Sequence, residues 1–176
     1  MSISTVLDRI HTINSQYIGT PVNNQSTITV SSTSITVNSS RYFPRERNQG
    51  VLPLLTAVPG AATYIDRFGR DTDTVETTEQ MNISLLAFVH NFYAGNAPSD
   101  AQRIAEELME QIKLTYKARP RLEAEDGNGV YQPLSVLTEK INFQQRSDIE
   151  IENNDIAVVT FTIAVKFETT ITKVIA

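Results

Sequence analysis

From Ile156 to Lys173 the chain alternates, with Ala157, Val159, Phe161, Ile163, Val165 and Phe167 in one phase and Thr160, Thr162, Lys166 and Glu168 in the other. Successive side chains of a strand point to opposite faces, so a period of two over this length specifies a long strand with one buried and one wet face. Antiparallel sheets accept such strands, whereas parallel sheets are covered on both sides and read as continuous apolar runs. A second strand is predicted from Val75 to Val89, where Met81, Ile83, Leu85, Ala87 and Val89 alternate with Asn82, Ser84, Leu86 and Phe88. Its start is polar in both phases and its end apolar in both. One end is therefore expected to be exposed and the other deeply covered.

Two segments carry a helical period instead. Ile3, Val6, Leu7, Ile10 and Ile13 recur every three or four residues within Ser2 to Asn14, and the helix is expected to end near Gly19 and Pro21. Ile104, Leu108, Ile112 and Tyr116 define a second helix, capped by Ser99 or Asp100 and stopped by Pro120. Asp126-Gly127-Asn128-Gly129 is a turn signal, and Leu134 to Phe143 reads as a further strand. Strands that outnumber two amphipathic helices predict an α+β fold, with a mainly antiparallel sheet and both helices packed on one face.

Ten of the fifteen residues from Ser26 to Ser40 are Ser or Thr, a composition typical of linkers. The apolar positions argue for structure. Ile28 and Val30 alternate with polar residues, as do Ile35 and Val37, and the phase changes across Ser31 to Ser34. A hairpin with a four-residue turn accounts for that change. Four apolar side chains make little core, so the hairpin is expected to lean on a neighbouring surface, with another copy of the chain as one candidate. Arg41, Tyr42, Phe43, Arg45 and Arg47 follow, and then the apolar run Val51 to Val58, with prolines at 53 and 59. Proline cannot donate to a sheet ladder, so a strand here is expected to be short or at an edge. Pro59 to Thr74, with Gly60 and Gly69, reads as a turn, a short extended piece around Tyr64 and a polar loop. At 176 residues the chain is expected to form a single domain, residues 1–176, with 20–50 as an extended arm or hairpin insertion.

Composition removes several classes of chemistry. There is no cysteine, hence no disulfide framework, thiolate zinc site, iron–sulfur cluster or cysteine nucleophile. His11 and His90 are the two histidines, too few for a multi-histidine metal site in one chain. Lys and Arg number 15 against 20 Asp and Glu, for a net charge of −5, which disfavours a sequence-independent grip on nucleic-acid phosphates. The longest strongly apolar uncharged run, Ile156 to Val165, is half the length a membrane-spanning helix needs, and the first twelve residues carry no leader pattern. No phosphate-binding loop, dinucleotide fingerprint, zinc-protease helix or nucleophile elbow occurs. Asp71 and Asp73 lack the continuation of a calcium loop and read as a solvated turn. Glu106, Glu107 and Glu110 form an acidic helix face of the kind that serves solubility. His11 is expected to be exposed. His90 closes the second strand and is the one candidate base, without a partner that sequence can locate. No catalytic, cofactor-binding or metal residue is therefore assigned. The interleaved arginines and aromatics at 41–47 fit a subunit interface better than a nucleic-acid groove, because Arg and aromatic residues anchor protein contacts and the chain is acidic. The interface candidates are Ile28, Val30, Ile35, Val37, Arg41, Tyr42, Phe43, Arg45 and Arg47.

Leu52-Pro-Leu-Leu-Thr-Ala-Val-Pro-Gly60, then Tyr64, Gly69, the Thr-rich approach to Met81-Asn-Ile-Ser-Leu-Leu-Ala-Phe-Val89 and the helix from Ser99 together resemble the tail terminator (tail completion) proteins of long-tailed bacteriophages. The likeness continues through Arg119-Pro-Arg-Leu122 and the strand from Val158 to Phe167. It rests on the order and spacing of elements, and the Ser/Thr-rich hairpin departs from it as an insertion. The resemblance implies a non-enzymatic virion protein without cofactors, made in the bacterial host cytoplasm. It implies a homo-oligomer, a hexameric ring that caps the tail tube protein, stops tail polymerisation and meets the head connector or head-completion protein, with DNA passing through unbound. Another neck or baseplate subunit, or a virion-associated enzyme using His90, are the alternatives.

Overall fold

The computed structural model describes residues 3–18, 20–22, 25–30, 33–42, 53–68, 74–90, 98–126, 128–135, 137, 139–152 and 156–172, of which 20–34, 67–76, 90–102, 143–159 and 168–172 are described by backbone alone. Helix α1, Ile3–Tyr17, buries Val6, Leu7, Ile10, Ile13 and Asn14 along one side, as the three- and four-residue spacing requires. Helix α2, Pro98–Lys117, begins one residue before the expected caps; proline suits a first turn, whose N–H has no intrahelical partner. It buries Ile104, Ala105, Leu108, Ile112, Thr115 and Tyr116. Beyond it the chain folds back through Arg119 N–H to Tyr116 O (3.2 Å) and Leu122 N–H to Arg119 O (3.0 Å). Leu122 sits in the left-handed region at φ 52° with its side chain fully buried. That conformation costs a leucine about 1–2 kcal/mol, which burying the side chain offsets.

In chain order the strands are β1 Thr20–Val22, β2 Gln25–Val30, β3 Thr33–Ser40, β4 Leu54–Phe68, β5 Thr74–His90, β6 Ala124–Glu125, β7 Tyr131–Gln132, β8 Asn142–Glu152 and β9 Ile156–Thr172. Seven of them form one sheet in the order β1-β2-β3-β4-β5-β9-β8, and β6 with β7 makes a separate small hairpin. Every pairing is antiparallel except β3 with β4. The core face of β5, Met81, Ile83, Leu85, Ala87 and Val89, joins Phe161, Ile163, Val165 and Phe167 of β9 and the buried faces of both helices in one cluster. The fold is α+β with both helices on that face. α1 lies against β1 to β4, and α2 against β2, β5 and β8, so the sheet curls around the helix pair.

Several expectations are corrected by this arrangement. In the Ser/Thr-rich hairpin Val30 pairs with Thr33 and Thr29 with Ser34, so Thr33 and Ser34 belong to β3 and not to a four-residue turn. Its register sets Ile28 opposite Ile35 and Ser26 opposite Val37, which places all four apolar positions on one face and explains the phase change. Asn38, Ser39 and Ser40 then pair in parallel with Leu54, Leu55 and Thr56, so residues 33–40 continue the sheet instead of leaving it as an arm. β4 is neither short nor at the sheet's end, for it runs fifteen residues between β3 and β5. Its proline is accommodated because β3 pairs only as far as Thr56, leaving Pro59 on a locally open side. The register slips between Pro59 and Ala62, a bulge centred on Gly60. A Cβ at Gly60 would stand 2.8 Å from the Asn82 carbonyl oxygen, so the close approach of the two strands needs glycine. The segment read as turn and polar loop is thus strand up to Phe68.

Among the described residues of Leu134 to Phe143 no strand precedes Asn142, and Leu137 makes an isolated antiparallel bridge to Phe167. Leu134 N–H bonds Arg121 O (2.9 Å), Leu137 N–H bonds Leu134 O (3.1 Å) and Ile141 N–H bonds Pro120 O (2.7 Å), and all three side chains are buried. The apolar residues anchor an irregular crossing under the core. β5 is covered on both faces near its end, where Leu54, Leu86 and Phe88 form a small cluster behind the sheet. Its polar start is less exposed than expected: Thr77 and Glu79 are buried, and the Thr77 hydroxyl donates to Asp66 Oδ1 at 2.8 Å.

Candidate interaction surface

The end of β3 is fastened to α1. Arg41 Nε donates to Asp8 Oδ1, and Arg41 Nη2 reaches Ser4 Oγ (3.2 Å) and Ser4 O (3.4 Å). One turn further along α1, His11 Nδ1 and Ser39 Oγ are hydrogen-bonded at 2.9 Å. His11 is therefore engaged and half-buried, not simply exposed on the polar flank. The Ser40 hydroxyl donates to Tyr42 O (2.7 Å), and the Arg41 guanidinium stands 5.1 Å from the centre of the Tyr42 ring. Tyr42 itself is 74% exposed. The local sequence explains the geometry: successive strand residues face opposite ways, so Ser39 and Arg41 turn toward α1 while Tyr42 turns to solvent.

The other interface candidates divide. Val37 is buried and Ile35 half-buried, both against the chain's own core, so the surface that the hairpin leans on there is its own molecule. Arg41, an interface candidate by its residue type, holds a carboxylate of its own chain. Phe43, Arg45 and Arg47 lie outside the described residues, as do the side chains of Ile28 and Val30. Asp71 and Asp73 also lie outside them. His90 is the last residue of β5, with Ile156 opposite in register, and its side chain is not among those described.

Sequence reading missed a second constellation at the opposite ends of the helices. Arg119 lies over the Tyr17 ring, 3.8 Å from its centre, and Tyr17 stacks on Tyr131 with ring centres 6.2 Å apart. Glu125 N–H donates to Tyr17 Oη (2.9 Å), and the Thr115 hydroxyl donates to Tyr17 O (3.3 Å). Burial raises the Tyr17 hydroxyl above the usual tyrosine pKa, against the opposing effect of that Glu125 N–H. These contacts tie α1, α2 and the β6–β7 hairpin together. The hairpin's turn is built by Asp126, whose Oδ1 accepts from Asn128 N–H (2.9 Å) and Val130 N–H (3.0 Å), while Gly129 takes φ 76°. The Asp-Gly-Asn-Gly signal announced the turn; the aromatic–arginine stack had no local signal, because Tyr17 lies more than a hundred residues from Arg119 and Tyr131.

A cleft of about 310 Å³ lies between α1 and this hairpin, lined by Thr5, Asp8, Arg9, Thr12, Glu125, Asp126 and Gln132 among others, and bridged by Arg9 Nη1 donating to Gln132 O at 3.2 Å. Three of its charged groups bond within the chain: Arg9 reaches Gln132 O, Asp8 holds Arg41, and Asp126 holds its own turn and Gln132 Nε2 (3.1 Å). Two α2 carboxylates are likewise matched, Glu107 with Gln111 (3.0 Å) and Glu110 with Lys113 (3.0 Å). Among the described residues no group of three His, Asp or Glu is placed to hold a metal, and no helix is long and apolar enough to cross a membrane. Large apolar side chains do stand exposed: Tyr42, Tyr64, Ile65, Leu114, Val130 and Tyr131. No protein-family model and no curated protein sequence matches the chain.

Proposed function

We propose that this chain is a structural virion subunit of the tail-terminator type. On this reading it forms a hexameric ring that caps the tail tube, halts its polymerisation and offers its other side to the head connector, with DNA passing through unbound. It is made in the bacterial host cytoplasm and resides in the virion neck. The observation that carries the reading is Tyr42, a largely exposed aromatic on backbone that Arg41 clamps to α1. An anchor already held in place loses little freedom on binding, and exposed Tyr beside Arg is the combination that dominates interface energetics. The acidic net charge of −5, repeated around a ring, supports a channel that repels the phosphate backbone.

Negative-stain imaging of the purified protein, alone and mixed with cognate tail tubes, tests this. Sixfold rings seated on one end of each tube are expected. A chain that stays monomeric, decorates the tube wall or ignores the tube end overturns the assignment.

A further inference from the structure

β4 outruns its neighbour. β3 pairs with it only from Leu54 to Thr56, and among the described residues no strand occupies that side from Ala57 to Phe68. Pro59 and the bulge interrupt the first part, leaving Ala62 to Phe68 as a regular run whose outward backbone N–H and C=O groups have no strand partner among the described residues. Natural sheets protect such edges with lysine, proline or very short strands, because an open ladder is a template for another chain. Here the run has no lysine and no proline, and Tyr64 and Ile65, more than half exposed, lie on its opposite faces.

Among the described residues the other end of the same sheet is open too: β8 pairs only with β9, and its eleven residues finish in the alternating run Asp148-Ile-Glu-Ile-Glu152. The chain directions of the two edges match. β4 to β5, β5 to β9 and β9 to β8 are each antiparallel, so β8 runs opposite to β4. A second molecule that simply continues the sheet, without being flipped, would bring its β8 antiparallel to β4. The register also sorts the residues. Ile65 pairs with Thr78, and Glu150 pairs with Val158 and through it with Phe88, which puts positions 63, 65 and 67 on one face with 148, 150 and 152. That combination sets one arginine, Arg67, among three acidic positions. The other face combines Tyr64 with the isoleucines at 149 and 151, and aromatic with β-branched neighbours is a favourable cross-strand pairing.

The geometry points to β-strand addition between copies of this chain: the outer edge of β4 from Ala62 to Phe68 pairs antiparallel with the outer edge of β8 of a second copy, head to tail. Because the two edges differ, the contact is heterologous and repeats around a ring instead of closing as a two-fold dimer. Backbone hydrogen bonds supply the affinity and the alternating side chains set the register. The inference rests on the ring reading only in requiring that copies associate.

The natural chain has no cysteine, so engineered cysteines report proximity without background. Thr63→Cys, Ile65→Cys or Arg67→Cys is combined in turn with Asp148→Cys, Glu150→Cys or Glu152→Cys and oxidised. A ladder of covalent multimers is expected from at least one double variant, with no cross-linking from the corresponding single variants. A covalent dimer from a β4 variant alone means that the edge pairs with itself and overturns the proposal. Light scattering of the natural chain separates the remaining outcomes: multimers without any cross-link overturn the strand pairing but leave the ring, whereas a monomer at all concentrations removes both. As a second arm, Ile65→Lys, at an exposed position, should leave the urea midpoint of the subunit unchanged and weaken assembly at least about tenfold. Undiminished assembly by that variant overturns the proposal.

Discussion

The Tyr116 hydroxyl donates a 2.7 Å hydrogen bond to Asn14 Oδ1, joining α2 to α1 inside the core, where both residues are almost completely buried. A buried amide that loses its partner keeps the full cost of desolvation. Tyr116→Phe is therefore expected to destabilise the fold by about 1–3 kcal/mol. Adding Asn14→Leu should recover part of that loss, because the second change removes the stranded acceptor. Urea unfolding of the two single variants and the double variant gives the coupling directly; strictly additive effects would show that the bond is not what joins the helices.

The same residue is expected to make stability depend on alkaline pH. Burial pushes the Tyr116 hydroxyl far above the ordinary value near 10, against a smaller pull from Arg119. An unfolded chain releases that proton near pH 10 while the folded chain keeps it, so the native state binds more protons above that pH. The contribution is complete below about pH 10 and is lost as pH rises beyond it, by about 1.4 kcal/mol per pH unit for each such tyrosine. Thermal melts from pH 8 to 11.5 should fall steeply above pH 10, and the slope should flatten in Tyr116→Phe. An unchanged slope in that variant assigns the alkaline transition elsewhere.

Gly60 and Gly129 are expected to respond to alanine for different reasons. At Gly60 the new methyl group meets the backbone of Asn82, which cannot swing aside, so Gly60→Ala should cost about 1–3 kcal/mol and disturb the β4–β5 bulge. At Gly129 nothing lies within 4 Å of the added atom, and the cost is the left-handed backbone alone, about 1 kcal/mol. Amide exchange at residues 57–64 should rise in the first variant and stay unchanged in the second.

Arg41 and Tyr42 are neighbours with separable roles. The Arg41–Asp8 pair is partly exposed, and such pairs contribute about 0–1 kcal/mol, so Arg41→Ala should shift the unfolding midpoint only slightly. Tyr42→Ala removes an exposed side chain and should leave folding untouched while weakening ring assembly by about 2 kcal/mol or more, the range of interface anchors. Analytical ultracentrifugation of both variants tells the roles apart. Normal assembly by Tyr42→Ala removes the observation on which the functional proposal stands.

Where one period dominated, sequence and structure agree: Val6 to Ile13, Ile104 to Tyr116, Met81 to Val89 and Phe161 to Phe167 each bury the face that their spacing marks. β4 was hidden because Pro59 and Gly60 are punctuation locally, and only pairing across a bulge makes them compatible with a strand. β8 was hidden in the same way, its register slipping between Gln144 and Asp148. Leu134, Leu137 and Ile141 misled in the other direction, since apolar residues that pin a crossing segment resemble a strand when read alone. The arginine at 41 was recognisable by type, but its partners Ser4 and Asp8 lie over thirty residues away, a distance that no local pattern spans. The Tyr17–Arg119–Tyr131 stack was invisible for the same reason.

The pairing of β5 with β9 sets a timetable for synthesis. β5 gains its first neighbour, β4, almost at once, since the two are adjacent in sequence. Its second neighbour runs from Ile156 to Thr172, so the other side of β5, a seventeen-residue strand like β9 itself, lacks its partner while α2 and the segment after it are being translated. At about 5–20 residues per second that interval is on the order of 10 s, long beside the microseconds to milliseconds in which hairpins and helices form. During that interval the nascent chain is expected to present an unpaired strand edge, the condition under which association with other chains competes with folding.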